Sequence, residues 1–276
     1  MRLGGSIVGP YPGAEAWTAM AKVCGFRAVT FPLDWDAGTG EIDRLVKELK
    51  TADIKIAEVG AWANNPLAQD LSLKRKAIEN CKKKLELAEY VGACCCVNVA
   101  GSHAAQWDSP CTDGLSKAFF DEVVAAVQEI IDGVKPKRTF YTLEPMPFFI
   151  PDSPDSYLQL IHAVNRTEFA VHLDIVNMIN SPQRYYNNSA FIQECFDKLG
   201  SYIKSIHIKD SILRNTLTVH LDECLVGSGA LDLACVLRNS AQLSADIPVL
   251  VEHIHNQEDY KYSINVLHTI LKDIER

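Results

Sequence analysis

The sequence predicts a single-domain α/β fold, a (β/α)8 TIM barrel, and three observations predict it. Short apolar runs alternate with amphipathic segments along the whole chain, eight of each, without a break in composition. Four of those runs end in a carboxylate or an imidazole: Glu144, Asp174, His207 and Glu252. The longest irregular stretches, at 60–70, 101–113, 145–153, 175–188 and 209–229, all follow strands. A barrel builds its site in those connections. The 276 residues suit one such barrel, so 1–276 reads as one domain.

In chain order, strands are expected at 2–8, 27–31, 54–59, 94–100, 139–144, 169–174, 203–208 and 248–253. Helices are expected at 14–24, 41–52, 71–91, 115–132, 154–164, 189–199, 230–242 and 257–274. The third helix is the clearest, with Ile78, Cys81, Leu85 and Ala88 on one face and Lys74, Lys76, Lys82, Lys83 and Glu86 over much of the rest. Asp113 and Ser153 stand where N-caps are expected, the latter before Pro154. Gly92 stands where the third helix needs a left-handed terminating residue. An open doubly wound sheet would want a glycine-rich phosphate turn after its first strand. Gly9-Pro10-Tyr11-Pro12-Gly13 is not one, since two prolines remove amides that would hold phosphate.

Composition narrows the function. Hydrophobic residues make up 47% of the chain, enough for a sizeable core, yet no stretch reaches the ~20 apolar residues of a membrane span. The formal net charge of −8 and the lack of a basic patch argue against a nucleic-acid partner. The N-terminus runs straight into Ile7-Val8 with no h-region and cleavage site, so no secretory signal is read. The nine cysteines form no CxxC pair, and Cys94-Cys95-Cys96 sits in an apolar run. The triplet reads as small buried strand residues, and the whole pattern points to the reducing cytoplasm.

The four strand-end residues carry the chemistry. A charge inside a parallel sheet is costly unless it is paired or bound to metal. Each residue alone has a plain reading: a rim ion pair for Glu144, a helix cap for Asp174, a structural role for His207, a salt bridge to Lys209 for Glu252. Their coincidence at equivalent strand ends points to one shared divalent ion at the barrel mouth. Three carboxylates and one imidazole make a mainly oxygen site, which favours Mn²⁺ first and Mg²⁺ next, with Co²⁺ or Zn²⁺ as substitutes. His253-x-His255 is a weaker metal signal.

The segments Leu143-Glu144-Pro145-Met146, His172-Leu173-Asp174, His207-Ile208-Lys209-Asp210, Gly227-Ser228-Gly229-Ala230-Leu231-Asp232 and Leu250-Val251-Glu252-His253 together resemble the xylose-isomerase-like TIM barrels, the sugar phosphate isomerase/epimerase superfamily. The resemblance covers nearly the whole chain. It implies a divalent-metal-dependent sugar isomerase or epimerase, with Glu144, Asp174, His207 and Glu252 as ligands. In the epimerase branch it implies that Glu144 and Glu252 also carry protons, one removing an α-proton and the other returning it, through an enediolate. Many members place a histidine three residues after the aspartate ligand; Asn177 stands there instead and carries no proton at neutral pH.

Further substrate contacts are expected from Asn177, Lys209, Arg214, His103, Glu58 and Trp62, the arginine from its place in the resemblance. Trp35, Trp107 and Phe148 are candidates for an apolar wall beside Trp62. Two alternatives stand beside the isomerase reading: a metal-dependent lyase or C-glycoside deglycosidase subunit acting on 3-oxo sugars, and a barrel that binds metal and sugar without turnover. The expected partner is a small sugar or sugar derivative, with no membrane; a homo-oligomer or a small partner subunit is left open. An endonuclease IV-like trinuclear zinc site is disfavoured, because the first four strands offer little beyond Glu58 and His103.

Overall fold

Eight parallel strands close on themselves in the order β1 (Arg2–Gly5), β10 (Pro248–Val251), β7 (Ile203–Ile208), β6 (Phe169–Asp174), β5 (Phe140–Leu143), β4 (Cys95–Asn98), β3 (Lys55–Gly60) and β2 (Ala28–Thr30). The computed structural model describes residues 1–274. Each expected strand is present. Most end a few residues early, because inter-strand pairing stops where the chain turns into the loops: 94–100 keeps only Cys95–Asn98, and 248–253 only Pro248–Val251. Closure depends on glycine. A Cβ on Gly4 would lie 1.7 Å from the carbonyl oxygen of Ala28, so no side chain fits where β1 crosses β2.

The expected helices surround the barrel: α1 (Ala14–Val23), α2 (Thr39–Thr51), α3 (Leu71–Val91), α4 (Lys117–Val134), α5 (Pro154–Val164), α8 (Asn188–Leu199), α9 (Leu233–Leu243) and α10 (Gln257–Ile274). In α3 the face of Ile78, Cys81, Leu85 and Ala88 is buried, Asp70 caps the start, and Gly92 ends it with φ 73°. Ser153 caps α5 in a capping box. The Asp113 cap is corrected: Ser116 accepts from the Phe119 N–H and starts α4, while Asp113 bonds His103 instead. All nine cysteines are free thiols, and Cys95 and Cys96 are fully buried.

Elements the sequence did not announce lie in the connections. Between β6 and α8 stand α6 (Ile175–Met178) and α7 (Pro182–Tyr186). The expected loop 209–229 contains an antiparallel hairpin, β8 (Asp210–Leu213) with β9 (Leu221–Cys224). Leu221-Asp222-Glu223-Cys224 is short and half exposed, so it lacks the apolar alternation that marks a strand.

Two strand-end devices fix the heights of the loops above the barrel. The buried Tyr157 hydroxyl lies 2.6 Å from the Leu143 carbonyl and 3.0 Å from the Ala170 carbonyl, and it accepts from the Leu143 N–H, tying β5 to β6. Asp210 accepts backbone N–H groups from Ser211, Gly227, Gly229 and Leu231, at 2.9 to 3.1 Å. That is why the His207-Ile208-Lys209-Asp210 and Gly227–Asp232 segments occur together: the second wraps round the carboxylate of the first. A Cβ on Gly229 would lie 2.3 Å from the Asp210 carboxylate. Replacing Asp210 with Ala strands these N–H groups, those of Ser211 and Leu231 buried, so urea unfolding should show a loss of about 3 kcal/mol.

Candidate metal centre

β5, β6, β7 and β10 deliver four side chains to one point. Glu144 and Glu252 are the residues immediately after β5 and β10, Asp174 is the last of β6, and His207 pairs in register with Asp174. One ligand atom from each lies within 4.8 Å of all the others. The Nδ1 of His207 is 3.0 Å from Glu252 Oε2, 3.6 Å from Glu144 Oε1 and 3.9 Å from Asp174 Oδ2. Asp174 also caps α6 through its other oxygen, accepting from the Asn177 N–H at 3.0 Å. The cap and ligand readings of Asp174 therefore do not exclude each other.

Trp62 Nε1 donates to one oxygen of Glu144 at 3.0 Å, and Asn177 Nδ2 donates to the other at 3.1 Å. The carboxylate plane is thereby fixed from both sides. Trp62 also lies over the His207 ring, 6.2 Å between centroids. Beneath the four residues a buried polar layer continues: Glu58 meets His207 Nε2 at 3.0 Å, and His172 stands edge-on to His207 at 4.0 Å and bonds Ser205 at 2.6 Å. Burial and the neighbouring His207 push His172 down to about 4, so it is neutral.

Lys209 is fully buried, with Nζ 2.6 Å from Glu252, 2.8 Å from Asp174 and 3.6 Å from Glu144. Burial alone would lower its pKa, but Asp174 and Glu252 hold it well above the ordinary lysine value, so it carries a charge. Burial likewise opposes ionisation of Glu252, yet His207 and Lys209 keep its carboxyl well below the usual range. Burial pushes Asp174 up to about 6 against the pull of Lys209.

The expected substrate contacts divide. Trp62, Asn177 and Lys209 are at this centre. Glu58 is not a mouth residue: it is 0% exposed and sits under His207. His103 lies in a neighbouring cleft with Asn64 and Asn80, where it bonds Asp113 at 2.8 Å. Arg214 is on the hairpin, half exposed, and pairs with Asp222 at 2.7 Å. Trp35 is outside the barrel, bonded to the Lys83 carbonyl, and Phe148 packs on Phe149. Above the centre is a cavity of about 330 Å³ lined by Trp62, Trp107, Asp108, Met146, Asn177 and His253 together with Glu144 and Glu252.

Two features at or beside it, Asp108 and Glu223, escaped sequence reasoning, and His253 was read there only as half of a weak metal signal. Asp108, next to Trp107, lines the cavity, and its Oδ1 is buried without a hydrogen-bond partner. Glu223 comes from the unforeseen hairpin and reaches His253 at 2.8 Å. His253 adopts φ 56°, a left-handed conformation unusual for a residue with a side chain, and thereby faces the cavity. Loop carboxylates carry no periodicity, so only the Trp107-Asp108 and Glu252-His253 adjacencies hinted at them.

The donor set fits a divalent cation. Glu58, Glu144, Asp174 and Glu252 face one ammonium and one imidazole, so even with both protonated two negative charges are left over. Asp174 Oδ2, His207 Nδ1 and Glu252 Oε2 are buried without a hydrogen-bond partner of good geometry. A hard cation matches both the surplus charge and these atoms.

Comparisons with known proteins agree with this architecture. Residues 18–270 match the family described as xylose isomerase-like TIM barrel, and the chain belongs to that family. No curated protein matches the sequence. Among solved structures the chain is similar to an L-ribulose 3-epimerase, at 15% identity and TM-score 0.74, over 100% of this chain and 96% of that one. It is similar to the probable 3-DHS dehydratase AsbF from Bacillus anthracis, at 15% identity and TM-score 0.73, over 96% and 98%. It is also similar to a xylose isomerase-like TIM barrel protein from Mycobacterium smegmatis in complex with magnesium, at 14% identity and TM-score 0.68, over 94% and 88%. At these identities the likeness is one of fold.

Replacing Asp174 with Ala should abolish stoichiometric Mn²⁺ binding in equilibrium dialysis; full retention would remove the assignment. In the wild type, Mn²⁺ affinity should fall as the pH drops through about 6, because protonated Asp174 gives up its place as a ligand.

Proposed function

We propose that this protein is a divalent-metal-dependent enzyme, Mn²⁺ being the favoured ion, that abstracts a proton next to the carbonyl of a neutral, unphosphorylated sugar and so isomerises or epimerises it. The observation that carries this reading is the pair of glutamates at one wall-to-wall cavity, both at the four-residue centre. Glu144, Asp174, His207 and Glu252 would hold the ion. When bound, it would polarise the carbonyl and offset the negative charge that follows proton loss.

The chain's own residues supply the rest. Glu144 or Glu252 takes the proton and the other returns it. Trp62 and Asn177 hold the Glu144 carboxylate in one plane, so its orientation is set before substrate arrives. Lys209 adds a fixed positive charge behind both carboxylates. Trp62, Val99, Trp107 and Met146 shield the cavity from water. Asp108, which lines the cavity, is a carboxylate within reach of a sugar hydroxyl.

The lining supports a neutral substrate. Among the described residues that line the cavity, none is lysine or arginine, while Asp108, Glu144 and Glu252 are acidic. Apart from the ion and His253, a phosphate ester would meet carboxylates there, and Lys209 is already held by carboxylates. The volume suits one sugar ring.

Elimination on a 3-oxo or related sugar is the second reading, and Asn177 favours it. Its amide is fixed on Glu144 and gives up no proton at neutral pH, so it supplies no acid to a substrate oxygen beside the two glutamates. Both readings start with the same proton loss.

Incubation with ketoses and 3-oxo sugars in D₂O tests the proposal. Deuterium should enter the α-carbon; net loss of water or an aglycone would select elimination. No exchange with any neutral carbonyl sugar, by protein loaded with metal, would count against enzymatic activity and favour a binding role. Glu144→Gln and Glu252→Gln should each lower exchange by more than ~10² while metal content falls far less than in Asp174→Ala. Asn177→His should keep or raise turnover in an epimerase and depress it in a lyase.

A further inference from the structure

Glu58 is a buried carboxylate that this mechanism does not use and that, unlike Asp210, holds no loop backbone. It lies on β3, across the barrel from the strands that carry the four ligands, and has no exposed surface. It does not line the cavity, so it cannot touch substrate. Its Oε1 is 3.0 Å from His207 Nε2 and accepts from the Thr30 hydroxyl, also at 3.0 Å. The register shift between β2 and β3 at Val29/Thr30 brings Thr30 opposite Glu58 and makes that second bond.

An imidazole has two nitrogens, and a ligand histidine must offer a lone pair from one while the other keeps its proton. Here the division is laid out in space. Nδ1 faces Glu144, Asp174 and Glu252, and Nε2 faces Glu58. The ring cannot flip freely, because Trp62 lies on one side and the edge of His172 meets it at 4.0 Å.

We propose that Glu58 is the positioning residue of the metal centre: it takes the Nε2–H of His207, fixes the ring and its tautomer, and makes Nδ1 the ligand atom. Its negative charge also makes His207 a better donor. A carboxylate behind a ligand histidine is typically worth about 10–100-fold in metal affinity. This replaces the expected substrate contact with a role exercised through His207. It rests on the reading of the four residues as a metal site.

The test is Co²⁺ binding, followed by chelator competition and by the visible absorption of the bound ion, with the metal-free Tm measured alongside. Glu58→Gln keeps the shape and removes the charge. Affinity should fall by about 10–100-fold, with an altered Co²⁺ spectrum. A merely structural role would lower the metal-free Tm and leave affinity and spectrum of the folded protein unchanged. That result, with Co²⁺ binding within about twofold of wild type, overturns the proposal while the metal site stands. If Glu58→Gln does not fold, Thr30→Val decides. It removes only the hydroxyl that fixes the carboxylate, and should weaken Co²⁺ several-fold; unchanged affinity there overturns the role. A wild-type protein that binds no Co²⁺ overturns the metal reading itself, which is a separate failure.

Discussion

Buried charge in the barrel lumen is the constraint on which the rest of this structure depends. Four carboxylates, Glu58, Glu144, Asp174 and Glu252, are brought together inside a parallel sheet with Lys209 and His207 as their cationic partners. Desolvating each ion costs several kcal/mol, and partial pairing does not cancel that cost. A fold keeps such a cluster only if the surrounding structure holds it in place. The closed barrel does so, because every strand is hydrogen-bonded on both sides and no edge is free to relax.

The supporting devices sit just where that constraint is greatest. Tyr157 ties β5 to β6 immediately below Glu144 and Asp174. Asp210 gathers the loop after the hairpin and so fixes the exit of β7 beside Lys209. Trp62 and Asn177 grip Glu144 from two loops. These bonds contribute stability, but their common effect is precision. A proton-transfer site loses rate steeply when its carboxylates wander by an ångström.

The same electrostatics give the cavity its acidic character. Acidic groups line it, its nearest ammonium is held by carboxylates, and indole faces cover its wall. The hairpin adds Glu223 and orients His253 at the rim, so residues far apart in the chain set the shape of the entrance.

The sequence by itself determined the barrel and its four converging residues. Strand periodicity and strand ends are local properties, and a charged residue closing an apolar run is visible without coordinates, as at Leu143-Glu144 and Val251-Glu252. Only the tertiary structure decided what each neighbour does. Glu58 near the end of one strand and His103 after the next looked alike; burial sent one beneath His207 and the other to a separate cleft with Asp113. Arg214 was carried away by a hairpin whose strands are too short and polar to announce themselves. Lys209 proved to be an ion-pair partner of Asp174 and Glu252 because alternation along β7 and its exit points it inward with His207. Which charges meet across a barrel depends on register and closure between strands, and those are long-range pairings that no local pattern records.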